Sequence, residues 1–260
     1  MRDLRYTLRK VPQITAWFWI VKILTTAMGE ATSDYSVHKA DPVVVVIFGF
    51  AAFVVALALQ LAVRRYIAWI YWLAVVMVAV FGTMAADVLH IRFHVAYAVS
   101  TAAFAVVLAV LFALWYWSER TLSIHSITTL RRELFYWATV LATFALGTAA
   151  GDLTAYRLHL GFFSSGLLFA GIICIPAIAF RYFGMNEVVA FWFAYIVTRP
   201  LGASFADWMG VPHSLGGLDW GRATVAFGLT FVIVACVAYL ALTKLDVEGD
   251  VDAELSRSTR

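Results

Sequence analysis

The sequence predicts an all-α polytopic membrane protein: eight transmembrane helices built as four tandem two-helix repeats. Three observations lead there. The chain is 63% hydrophobic and only 13% charged, whereas soluble domains carry roughly 25% charged residues. It contains eight mostly apolar stretches of the ~20 residues that a bilayer's hydrocarbon core requires. One pattern, [FY]-W-x9-G-x4-D, recurs four times with invariant internal spacing, always within such a stretch.

The expected spans are 12–34, 42–63, 67–89, 95–117, 134–156, 160–182, 187–209 and 222–243. The odd spans carry the pattern: Phe18-Trp19, Gly29 and Asp34; Tyr71-Trp72, Gly82 and Asp87; Tyr136-Trp137, Gly147 and Asp152; Phe191-Trp192, Gly202 and Asp207. The even spans are plain apolar helices without acids. Successive tryptophans are 53, 65 and 55 residues apart, so tandem repeats of about 12–63, 67–117, 134–182 and 187–243 are joined by linkers of unequal length. They form one membrane domain, 1–245, followed by a short cytoplasmic disordered tail, 246–260, rich in acids and serine. The first stretch follows Arg2, Arg5, Arg9 and Lys10 as a signal peptide's would. It holds Lys22, Glu30 and the first pattern copy, so it reads as a retained helix.

Lysine and arginine set the orientation. With both termini inside, thirteen basic residues face the cytoplasm and four (Lys39, Arg92, Arg157 and Arg222) face the other side. Every pattern helix then points the same way, with Trp toward the cytoplasmic interface and Asp toward the outer one. The two are 15 residues apart, about 22 Å along a helix and within ~60° of each other around it. Trp19, Trp72, Trp137 and Trp192 are expected in an interfacial aromatic belt, with contact to a ligand as the lesser alternative. The pattern glycine either lets helices approach closely or marks a break that frees backbone carbonyls.

Carboxylates at membrane depth are costly unless partnered, which makes Glu30, Asp34, Asp87, Asp152 and Asp207 the candidate functional residues. In the first copy, Lys22, Thr26, Glu30 and Asp34 recur every four residues and form one polar stripe. Thr83 with Asp87, Thr148 with Asp152, and Arg199 with Asp207 are the equivalents, and Arg199 precedes Pro200 at an expected kink. Five acids against Lys22 and Arg199 leave an excess of negative charge, which suits hard cations or protons. For any one aspartate, the plain alternative is an interfacial helix end. Four in register with Glu30 favour a shared metal-type site. His94 and His159 follow the second and third copies as Asp-x4-Arg-x-His and read as polar caps or outer-mouth ligands.

Other classes find little support. The net charge of +3 is small and its cations scattered, which argues against nucleic acid. Cys174 and Cys236 sit singly in apolar runs and give no disulfide framework. No phosphate loop, nucleophile–base signature or HExxH motif marks an enzyme, and no cofactor is expected. A Schiff base on Lys22 lacks any other chromophore feature.

Lys22 to Glu30 and Leu146 to Asp152, within the four repeated units, resemble the bacterial inner-membrane family built from four tandem repeats of unknown function with a marked Trp. The resemblance covers roughly 12–243 and implies an architecture without an activity. From the residues, the leading expectation is a transporter or exporter of a small cation, such as divalent manganese, coupled to protons through Glu30. A pseudo-fourfold cation channel and a non-transporting scaffold or sensor are the alternatives. The expected partners are the lipid bilayer and the small cation, with a homo-oligomer allowed. Reporter fusions after Arg65, Arg132 and Arg181 should read cytoplasmic, and fusions at Lys39, Arg92, Arg157 and Leu215 periplasmic. A single reproducible inversion contradicts parallel repeats.

Overall fold

Apolar surroundings leave a backbone no outside hydrogen-bond partner, so each apolar stretch closes its own bonds as a helix. The computed structural model describes residues 9–247 of 260. Its long helices are α1 (Ala16–Lys39), α2 (Pro42–Ala62), α3 (Ala68–Ile91), α4 (Tyr97–Glu119), α5 (Leu130–Asp152), α6 (Gly161–Phe183), α7 (Glu187–Gly210) and α8 (Arg222–Thr243). No strand occurs among the described residues. Local sequence sets their ends. Asp41 accepts from Val43 N and Val44 N at 2.9 and 3.2 Å ahead of Pro42, and Asn186 caps α7 in the same way. Gly184 ends α6 with φ of 67°, a conformation glycine adopts without penalty.

Seven of these helices are long and apolar enough to cross a membrane. The expected eighth, α1, is long enough at 24 residues, but Lys22, Glu30 and Asp34 leave it less apolar than the others. Its charges do not face outward: Lys22 and Glu30 are 1% and 3% exposed.

The pattern helices are the inner ones. Between 61% and 67% of the apolar stretch is buried in α3, α5 and α7, against 17% to 28% in α2, α4, α6 and α8. Helix α1 packs on α3, α3 on α5, α5 on α7, and α7 back on α1, closing a ring of four. Each even helix lies against the pattern helix of the next repeat: α2 on α3, α4 on α5, α6 on α7, and α8 on α1. The repeats are thus interlocked around the ring.

Two sets of contacts repeat at every step. A Cβ on Gly29 would lie 2.6 Å from Ala79 Cβ, and one on Gly82 would lie 2.8 Å from Phe144 Cβ. One on Gly147 would collide with Arg199, and one on Gly202 with Thr26. In each case the glycine meets the residue three positions before the next helix's own glycine, so the fit is cyclic. No helix breaks at these positions. Close approach is therefore the glycine's role, and the alternative of freed carbonyls falls away.

The aromatic pair makes the second set. Phe18 meets Trp72, Tyr71 meets Trp137, Tyr136 meets Trp192, and Phe191 meets Trp19, with ring centroids 5.7–6.1 Å apart. Trp72, Trp137 and Trp192 are 1–4% exposed. They form a buried inter-helix layer, which corrects the expectation of an interfacial belt. Trp192 also donates to Leu122 O at 2.9 Å, anchoring the α4–α5 connection.

Both described ends of the chain meet below this layer. Gln13 N donates to Asp246 O at 3.0 Å, and Tyr66 N donates to Arg9 O at 2.9 Å. The Tyr66 hydroxyl donates to the Asp246 carboxylate. Burial pushes the Asp246 carboxyl up, and the bond from Tyr66 partly offsets that. Asp246, expected to open a free tail, is instead a buried contact; the rest of that tail, from residue 248, lies outside the described residues. Lys10 adds a pair with Glu133 at 2.5 Å, and Gln60 donates to the same carboxylate at 3.0 Å.

Gly82→Val should lower stability by about 1–3 kcal/mol, the usual range for overpacking a tight contact. Gly171→Ala, where an added Cβ meets nothing within 4 Å, should not. Thermal unfolding in detergent compares the two, and equal melting temperatures would contradict the close-approach role.

Candidate functional site: a ring of acids over a buried arginine

Because the four pattern helices share one register, their equivalent positions lie at common levels along the ring. Next to the aromatic layer, the Tyr71 and Tyr136 hydroxyls hydrogen-bond at 2.6 Å. Lys22 comes next. Its counterparts, seven residues before each glycine, are the fully buried Val75, Val140 and Tyr195. Its Nζ has no hydrogen-bond partner among the described residues and lies 4.0 Å from the Phe144 ring centroid and 4.3 Å from that of Tyr195. A lone amine between aromatic faces retains a cation–π contact where hydrogen bonding is missing.

The glycine level is occupied by Arg199, which is 0% exposed. Its Nη2 shares two hydrogens among three oxygens, Glu30 Oε2 at 2.6 Å, Thr148 Oγ1 at 2.8 Å and Thr83 Oγ1, and its Nη1 donates to Thr26 O at 3.1 Å. Glu30, Thr83 and Thr148 each follow their own helix's glycine by one residue. In α7 that position is Ala203, and α7 instead supplies the arginine one turn earlier. The close packing at Gly147 places α5 directly against Arg199 and Pro200. Four helices thus build one ionic knot, three of them from equivalent positions and the fourth from one turn earlier.

The aspartates lie one to two turns further along. Glu30, Asp34 and Asp207 each bring a carboxylate oxygen into a group whose members all lie within 4.8 Å of one another. Asp34 also pairs with Arg222 at the start of α8, at 2.9 Å. Asp87 accepts from Ser33 Oγ at 2.7 Å. Asp152 lies 3.5 Å from His90 Nδ1, and His90 Nε2 contacts Ser100 Oγ at 2.7 Å. Helix α5 continues past Asp152 as a π-helical turn, Leu153–Arg157, a widening frequently found at functional positions.

Of the residues read from sequence, the structure brings together Glu30, Asp34, Asp207, Arg199, Thr83 and Thr148. Thr26 joins through its carbonyl, while its hydroxyl bonds to Ile23 O and Thr198 O. Asp87 and Asp152 attach through Ser33 and His90 rather than entering the three-acid group. Lys22 stands apart, and Trp19, Trp72, Trp137 and Trp192 belong to packing. His94 and His159 are exposed and lie just past matching helix ends, with φ of 53° and 55°. Sequence reasoning missed His90, Ser33 and Arg222. Ser33 and His90 sit one residue before and three after a pattern aspartate, on the same helix ends, and that adjacency was the available signal.

These features define a multi-span, all-helical protein of four interlocked two-helix repeats with a shared polar interior. The family model described as Repeat of Unknown Function (DUF347) matches residues 17–66, 70–121, 135–184 and 190–246, and the chain belongs to that family. No curated protein and no solved structure matches it.

Glu30→Ala should destabilise the protein by about 3–5 kcal/mol, because it leaves a guanidinium buried without its anion. Adding Arg199→Met should recover much of that loss, since no uncompensated charge then remains. Denaturation of the three variants in detergent tests this. Simple additivity of the two losses would contradict a coupled pair.

Proposed function

We propose that this protein is a carrier for a small divalent cation such as Mn²⁺ in a bacterial inner membrane. All eight helices span in this reading, and both termini are cytoplasmic. The observation that carries it is the three-acid group of Glu30, Asp34 and Asp207, whose oxygens all lie within 4.8 Å of one another. Oxygens on opposite sides of a hard cation, each about 2.1–2.5 Å from it, are separated by just such a distance. Among the described residues, neither lysine nor arginine forms a salt bridge with Asp87, Asp152 or Asp207, so each of them that ionises adds a negative charge that no strong base pairs with directly. The lack of thiolates in the group favours hard ions over soft ones.

A carrier is favoured over an open channel because the Arg199 guanidinium stands wholly buried between the helices, where a continuous pore would have to run. Glu30 is the natural coupling residue: it belongs to the acid group and also holds Arg199. A proton or a cation arriving at Glu30 competes with the arginine, which links occupancy to the closure of the ring. The thirteen-to-four distribution of basic residues supports the orientation. Both described chain ends meet at one end of the bundle, in keeping with it.

Asp34→Asn and Asp207→Asn each keep size and hydrogen-bonding capacity while removing one charged ligand. Uptake of Mn²⁺ into proteoliposomes should fall at least tenfold for either, with elution from size exclusion unchanged. Wild-type uptake by both folded variants would remove the transport reading and leave a packing role for the acids.

A further inference from the structure

The polar contacts of Arg199 have the form of a ligand shell. Its guanidinium takes oxygens from three helices: Glu30 Oε2 and Thr26 O of α1, Thr83 Oγ1 of α3 and Thr148 Oγ1 of α5. Three of these come from one repeated position, the residue after the pattern glycine. Holding an arginine on α7 needs no such repetition, since a single carboxylate suffices to pair with it. The fourth repeat has Ala203 at the ligand position and contributes the cation instead.

We propose that Glu30 Oε2, Thr83 Oγ1, Thr148 Oγ1 and Thr26 O form a second, central cation site, occupied in this state by the protein's own Arg199. A carboxylate, two hydroxyls and a backbone carbonyl are the donors that hard cations take. Glu30 belongs to both this shell and the acid group at the helix ends, so it bridges the two sites. A cation moving inward from the acid group would exchange with the guanidinium on Glu30. Arg199 is then a tethered competitor, and it keeps the ring closed until a cation replaces it. Among the described residues its Nε has no hydrogen-bond partner, and the guanidinium is held there through its two terminal nitrogens. The movement of a cation between the sites rests on the carrier reading. The central site and its binding stoichiometry do not, whereas the flux measurement below does.

The test is the stoichiometry of Mn²⁺ bound to purified full-length protein, by equilibrium dialysis, for the wild type and for Arg199→Met. Arg199→Met should bind one more equivalent than the wild type, and adding Thr83→Val and Thr148→Val should abolish that extra equivalent. One equivalent in Arg199→Met against none in the wild type upholds the central site while removing the site of the three acids. Equal stoichiometry in the two folded proteins overturns the proposal, as does an extra equivalent that survives loss of both threonines. If Arg199→Met does not yield a monodisperse protein, Thr83→Val with Thr148→Val is examined alone, with the Arg199–Glu30 pair intact. Mn²⁺ flux should then drop at least tenfold at unchanged apparent affinity, and wild-type flux would overturn the central site.

Discussion

Close approach of the helices at four glycines sets where every other group in the ring can stand. Each pattern helix touches the next at a point where no Cβ fits, and the four contacts close on themselves. Helices that near to one another leave little room between them, so whatever stands at that level is gripped from all sides. The aromatic layer, ten residues toward the other end, repeats the same cyclic step with large rings in place of absent side chains. Together the two layers fix both the spacing and the relative height of the helices. That common height is what puts Glu30, Thr83 and Thr148 around one guanidinium.

A buried ion pair contributes little net stability, because desolvating two charges offsets most of their attraction. Its retention here is better understood through what it holds apart. Arg199 neutralises Glu30 and satisfies two threonine hydroxyls, so the interior of the ring tolerates one full charge of each sign. Among the described residues, Asp87, Asp152 and Asp207 pair with no lysine or arginine. Asp34 turns to Arg222, Asp152 to His90 and Asp87 to Ser33, each on another helix. The polar interior is therefore graded: aromatic and apolar at one end, paired ions in the middle, excess carboxylate at the other. A cation would be drawn to one end and stopped in the middle.

Much of this was legible in the sequence because the repeat is strict. Invariant spacing from Trp through Gly to Asp requires four parallel helices in one register, and the fold follows it closely. The membership of the site was legible for the same reason: Thr83, Thr148 and Arg199 share the stripe of their aspartates. The roles were less legible. Hydropathy places an aromatic pair near a span's end but does not say whether it faces lipid or the next helix, and Trp72, Trp137 and Trp192 turned inward. A glycine in a helix is equally consistent with a break and with close packing until its neighbour is known. Helix α1 fell below the apolarity of a span because its polar stripe faces the ring, and composition does not record direction. His90, Ser33 and Arg222 carry no repeat signal at all, since their partners come from adjacent helices.

In the carrier reading one cation is shared by carboxylates of α1 and α7. Crystals of the full-length protein grown with Mn²⁺ and measured near the manganese absorption edge test it most directly. An anomalous difference peak should appear, bounded by oxygens of Glu30, Asp34 and Asp207, each about 2.1–2.5 Å away. Manganese found only elsewhere on the molecule, with these three carboxylates unliganded at saturating metal, would contradict it.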